Sequence, residues 1–117
     1  MRTDISRLND ILKAIEKIEK YKRRGEAEFR SEELIQVWCI HHLQLIGEAA
    51  RALSDDTRES LDTVPWREII GMRHILVHHY FGVDLDVVWD AIAKELGPLK
   101  AEIETAIEHL DQENSQN

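Results

Sequence analysis

A chain of 117 residues has room for one hydrophobic core and is too short for two. Its 43% hydrophobic content, with only five Gly and two Pro, excludes a disordered or fibrous chain. No run reaches the ~20 apolar residues of a membrane span, the start MRTDISRLND has no apolar signal core, and a net charge of −8 argues against a non-specific, processive nucleic-acid binder.

A cytoplasmic address is therefore expected. The single Cys39 cannot form an internal bridge and reads as a reduced packing residue. The charge is uneven: residues 1–30 hold nine Lys/Arg against six Asp/Glu, and the rest hold six against seventeen. The basic end, KAIEKIEKYKRR (Lys13 to Arg24), reads either as a solvated helix face, with Glu16 and Lys20 four apart, or as an RNA-facing one.

Residues 4–23 place Ile5, Leu8, Ile11, Leu12, Ile15 and Ile18 at helical spacing, with Thr3 or Asp4 as N-cap. Gly25 and EAEFR break that pattern, and Ser31 before Glu32 and Glu33 is a start signal for a second helix over about 32–53. One face of this helix carries Leu34, Val37, Trp38, His41, Leu45, Ala49 and Ala52, with Ile35, Cys39, Leu43 and Ile46 on its flanks. Apolar on most sides, it belongs at the centre of the bundle or at an interface. Gly47 lowers its helix propensity and is expected to admit a close backbone, while Glu48, two turns beyond His41, is a carboxylate in need of a partner.

SDDTRESLDTVP reads as a loop with one short helical turn. Pro65 suits the start of a third helix near Trp66, which Gly82 would end after Tyr80 or Phe81. Asp84 caps a fourth helix, with Val83 and Val88 as a hydrophobic staple, and Gly97–Pro98 is expected to end it. A last helix, Leu99 to Leu110, precedes a polar tail. The expected fold is all-α, a compact bundle of four to five helices over residues 1–112, with 113–117 disordered.

Chemistry concentrates in MRHILVHHYFGVD, Met72 to Asp84. On a wheel at ~100° per residue, Arg73 and Tyr80 fall in the middle of the apolar stripe of Ile69, Ile70, Leu76 and Val77, while His74 and His78 point to one side and His79 to the other. A guanidinium in that stripe implies either a structural pair with an inward carboxylate such as Glu48, or a functional site. Arg73 and His78 do not share a face, so a site using both requires the helix end to unwind or a two-fold dimer to supply a second copy.

Two Arg and two His in one groove supply a base for a 2′-hydroxyl, an acid for the leaving oxygen and cations for the phosphorane, which is RNA cleavage without a metal. Metal binding by His74 and His78 with His41 or His42 is the competing chemistry, but no HExxH or paired cysteines accompany them. His79 and His109 read as surface or interface histidines.

Arg73, four residues, His78, one residue and Tyr80, set among PWREIIGMR (65–73), HYFGVDLDVVW (79–89) and LQLIGEAARALS (43–54), resemble the HepT-like toxins, minimal members of the HEPN superfamily, over roughly residues 3–110. The resemblance implies a HEPN-type bundle that forms a two-fold homodimer and acts as a metal-independent endoribonuclease toxin. It makes Arg73 and His78 catalytic and needs no cofactor. It further implies a minimal nucleotidyltransferase antitoxin that moves AMP from ATP onto Tyr80. His74 stands where the family often has Asn, and with Glu48 it is expected to orient substrate. The alternative is a non-catalytic adaptor that binds a nucleotidyltransferase and positions its substrate.

Overall fold

Thr3 opens the first helix as expected, its hydroxyl accepting from the Ser6 amide at 3.2 Å. The computed structural model describes the backbone of residues 3–78 and 84–116 and the side chains of 3–72 and 84–112. Helix α1 (Asp4–Lys22) turns Leu8, Ile11, Ile15 and Ile18 wholly into the core. Gly25 then takes φ +92°, a left-handed conformation open to glycine at little cost, and redirects the chain.

EAEFR does not break into a loop: Glu26–Ser31 form a short helix, α2. Six residues cannot hold a helix by propensity. Tertiary burial of Phe29, 1% exposed and 5.2 Å from the Trp89 ring, supplies the stability. Arg30 adds ties to Glu26 at 2.8 Å and Asp86 at 2.5 Å. Ser31 therefore closes α2 instead of starting the next helix, and Glu32 in extended backbone precedes α3 (Glu33–Ala52). Gln36 donates to the Phe29 and Arg30 carbonyls at 3.0 Å, satisfying the end of α2.

The face that α3 buries is the other notable difference. Ile35, Cys39, Leu43, Ile46 and Ala50 enter the core, whereas Leu34 is 83%, Val37 40% and Leu45 38% exposed. Both faces are apolar, and spacing alone does not choose between them. The side with more β-branched and sulfur volume packs against α1 and against α5 (Trp66–His78).

Between α3 and α5, Ser54 caps α4 (Asp55–Ser60), the anticipated short turn. Asp4 reaches across to this corner, accepting from the Ser54 amide at 3.0 Å and from the Ser54 and Thr57 hydroxyls at 2.6 and 2.5 Å. Helix α5 starts where Pro65 indicated: the Ile69 amide donates to the Pro65 carbonyl, and the Trp66 indole donates to Leu61 at 3.1 Å.

Asp84 caps α6 (Leu85–Asp90), accepting from the Asp86 amide at 2.8 Å. The expected stop at Gly97–Pro98 does not occur. Helix α6 continues through a π turn at Ala91–Glu95 into α7 (Leu96–Gln116). The carbonyl that Pro98 would crowd in a straight α-helix is that of Lys94, four residues back. Lys94 lies in the wider π turn, so proline is accommodated where the ladder is already loosened. Helix α7 then packs on α1 through Leu99, Ile103 and Ala106.

The result is all-α: α3 lies between α1 and α5, and α7 covers α1 from another side. Among the described residues no helix is long and apolar enough to cross a membrane. The expected end of α5 near Tyr80 or Phe81, with Gly82 and the Val83 staple, lies outside the described residues.

Candidate active site

The backbone of α5 carries Arg73, His74 and His78; their side chains, and Tyr80 with His79, lie outside the described residues. What the fold fixes is the rail on which they sit. Trp66 is 8% exposed, Ile69, Ile70 and Met72 pack against the core, and Arg67, Glu68 and Gly71 face solvent. At ~100° per residue, position 73 falls on the same arc as 66, 69 and 70. Position 78 lies ~140° away, and five residues separate the two by a rise of ~7.5 Å.

Helix α3 supplies the neighbouring surface. His41 and Glu48 share one side of α3, as their spacing suggested, but that side is the exposed one, among Leu34, Val37 and Leu45, so Glu48 is not the inward carboxylate expected. Glu48 borders a groove between α1 and α3 lined also by Arg7, Asp10, Lys13, Lys17, His42 and Leu45. Gly47 is buried on the opposite side.

Sequence reasoning considered His42 only as a candidate metal ligand. It is 9% exposed, with neither ring nitrogen hydrogen-bonded among the described residues. Its ring meets Trp38 edge-on at 4.6 Å and His41 at 5.0 Å, and Trp38 in turn meets Tyr21 at 5.6 Å. Burial lowers the His42 pKa, and the nearby His41 and Lys17 lower it further. The available signal was its helix position, 100° from His41 on the way to the core.

A second cleft, of about 390 Å³, reaches α5 at Met72, one residue before Arg73. Among the described residues it is lined by Leu43, Ile46, Ile69 and Leu99, with Glu68, Glu95 and Glu102 and a single lysine, Lys94. Such a lining suits apolar side chains and repels phosphate. Among the described residues no three His, Cys, Asp or Glu converge as a metal site.

The model of one protein family, described as "Ribonuclease HepT-like", matches residues 11–106. The chain belongs to the HepT-like ribonuclease family. That match takes in Arg73, His74, His78, Tyr80 and Glu48 together. A Methanocaldococcus jannaschii protein named "Gamma-glutamylcyclotransferase and putative RNase" is 41% identical over 113 residues, 95% of this chain but 51% of its own length. This chain thus spans about half the length of that relative. A Thermococcus cleftensis protein named "Probable ribonuclease HepT" is 38% identical over 98 residues, covering 83% of this chain and 89% of that one. No solved structure matches the chain.

Proposed function

We propose that this protein is the endoribonuclease toxin of a toxin–antitoxin pair, acting in the cytoplasm without a metal through Arg73 and His78 of two copies. The observation that carries the reading is the Arg73, His78, Tyr80 spacing inside the matched span 11–106. One imidazole takes the 2′-hydroxyl proton as that oxygen attacks phosphorus, and the other protonates the departing 5′ oxygen. The arginines hold the charge that builds on the non-bridging oxygens. The products are a 2′,3′-cyclic phosphate and a 5′-hydroxyl.

Two-fold pairing solves the geometric problem of α5, because positions 73 and 78 point ~140° apart on one helix. The exposed apolar residues Leu34, Val37 and Leu45 on α3, the helix against which α5 packs, support a face for the second copy. His74 donates a hydrogen bond to the scissile phosphate, and Glu48 is an auxiliary residue that orients the substrate. A partner nucleotidyltransferase silences the site by placing AMP on Tyr80, adding negative charge and bulk where RNA phosphate has to sit.

The test is RNA cleavage by purified protein in excess chelator, beside Arg73→Ala and His78→Ala proteins shown to fold. Loss of cleavage in both is expected. Equal cleavage by wild type and variants sinks the catalytic assignment, and no cleavage by wild type leaves the adaptor reading in its place. Co-expression with the partner should add the mass of AMP to the peptide containing Tyr80; AMP on another peptide refutes the modification.

A further inference from the structure

The cations of α1 are not scattered over its exposed side. Lys13, Lys17 and Lys20 of α1, with Arg24 just beyond its C-cap, recur at intervals of four, three and four residues, which puts the three lysines within ~60° of each other along ~10 Å of helix. All four are exposed. Arg24 pairs with Glu28 at 3.6 Å, as Lys100 does with Glu19 at 3.0 Å and Arg30 with Glu26 and Asp86. Three members of the line also lie over aromatic rings: the Lys17 amine is 5.9 Å from the Trp38 ring centroid, and the Lys20 amine and Arg24 guanidinium are 5.7 and 5.0 Å from that of Tyr21.

The rings form a row of their own. Tyr21, Trp38, His42 and His41 meet successively at 5.6, 4.6 and 5.0 Å, leading from α1 to the exposed face of α3. The Trp38 indole donates to the Lys17 carbonyl at 2.8 Å, so ring and cation line are held in one register. Tyr21 and Trp38 are half-buried and His41 is exposed, which leaves ring edges and faces accessible beside the charges. Below them lies the α1–α3 groove with Arg7, Lys13 and Lys17 on its wall, and Asp10 and Glu48 on the same rim.

We propose that the Lys13, Lys17, Lys20 and Arg24 line, with the Tyr21, Trp38 and His41 rings beside it, is a binding track for single-stranded RNA. The inference rests on the ribonuclease reading for its purpose, namely to hold a strand beside the α3 face where the second copy would meet the first. Cations at helical intervals meet successive phosphates, and rings that stack on any base give affinity without sequence choice. A track whose cations are confined to α1 and its C-terminal end also reconciles RNA binding with a net charge of −8. Nine of the fifteen Lys and Arg fall within residues 1–30, and the cleft with Glu68, Glu95 and Glu102 turns RNA away from the other side of α3.

The experiment measures binding of a fluorescein-labelled, mixed-sequence 15-nucleotide RNA in the full-length His78→Ala background, across a range of salt. The triple variant Lys13→Gln, Lys17→Gln, Lys20→Gln is compared with an off-track control, Arg58→Gln, Lys94→Gln. Three phosphate contacts contribute about 2 to the slope of log K against log salt for a single strand. The triple variant should lose that slope and bind tenfold to a hundredfold more weakly near 0.1 M salt, with the control unchanged. Gel mobility and melting of the triple variant establish that it folds; exposed Lys→Gln changes on a helix are well tolerated. An unchanged slope in the triple variant overturns the track, as does equal loss in the control, or a parent protein that does not bind the RNA. Failure of the ribonuclease reading is a separate result, read as absent cleavage by wild-type protein.

Discussion

Replacing His42 by Phe should stabilise the protein. The imidazole is buried with both nitrogens lacking a hydrogen-bond partner among the described residues, and a buried unsatisfied donor or acceptor costs about 1–3 kcal/mol. Phe keeps the edge-on contact with Trp38 at 4.6 Å and removes both polar atoms. Its slightly larger ring gives back about 1 kcal/mol in packing strain. A net gain of up to about 2 kcal/mol should raise Tm by up to about 8 °C in a domain of this size.

The pH dependence supplies an independent check. Burial, with His41 and Lys17 close by, holds the His42 pKa below its ordinary 6.5. The unfolded chain therefore takes up this proton before the folded one does. Wild-type stability is full above that ordinary value and falls as pH drops through it toward the folded-state pKa. The advantage of His42→Phe should accordingly be larger at pH 5.5 than at pH 8. Urea and thermal unfolding at both pH values, at fixed protein concentration, measure this. A variant less stable than wild type by 1 kcal/mol or more, or an advantage that grows with pH, refutes the reasoning.

Two further outcomes concern stability and reactivity. Cys39 is buried and its thiol is pushed up to about 11, so native protein at pH 8 should resist a disulfide-exchange reagent that modifies it at once in urea; rapid native labelling contradicts this burial. Burial raises the Asp4 pKa, but hydrogen bonds from Ser54 and Thr57 outweigh it and leave the value lowered. Its contribution is therefore present above the unfolded carboxylate pKa and lost as pH falls below it, so Asp4→Asn should cost about 1–2 kcal/mol at pH 7 and flatten the acid limb of stability between about pH 5 and 3. An unaltered acid limb would show that the corner of α1 and α4 does not depend on this carboxylate.

Much of the helical framework was legible from local chemistry. Thr3, Ser54 and Asp84 are short polar side chains whose oxygens accept from amides two or three residues on, and Pro65 sits where its missing N–H is harmless. These interactions span one turn and can be read along the chain. Phe29 and Pro98 were misleading for the opposite reason. The helix around Phe29 exists through Trp89, sixty residues away, and Pro98 is tolerated because of a π turn whose residues look ordinary.

The candidate site divides along the same line. Arg73, His78 and Tyr80 were found by linear spacing, and the family match extends across them. The cation line of α1 was visible as composition, but its alignment with Tyr21, Trp38 and His41 required α3 to be laid against α1.

By itself, then, the sequence determined an all-helical chain, most of its caps, and the Arg73, His78, Tyr80 spacing that lies within the family match. Only the tertiary structure decided which of two apolar faces α3 would bury, because periodicity marks a face as apolar without saying what covers it. Ile35, Cys39, Leu43 and Ile46 met α1 and α5, and the stripe with Leu34, Val37, His41 and Leu45 was left outward. The same choice buried His42 beside Trp38 and brought the rings of α3 against the lysines of α1. Contacts between helices distant in sequence set these outcomes, and no local pattern encodes them.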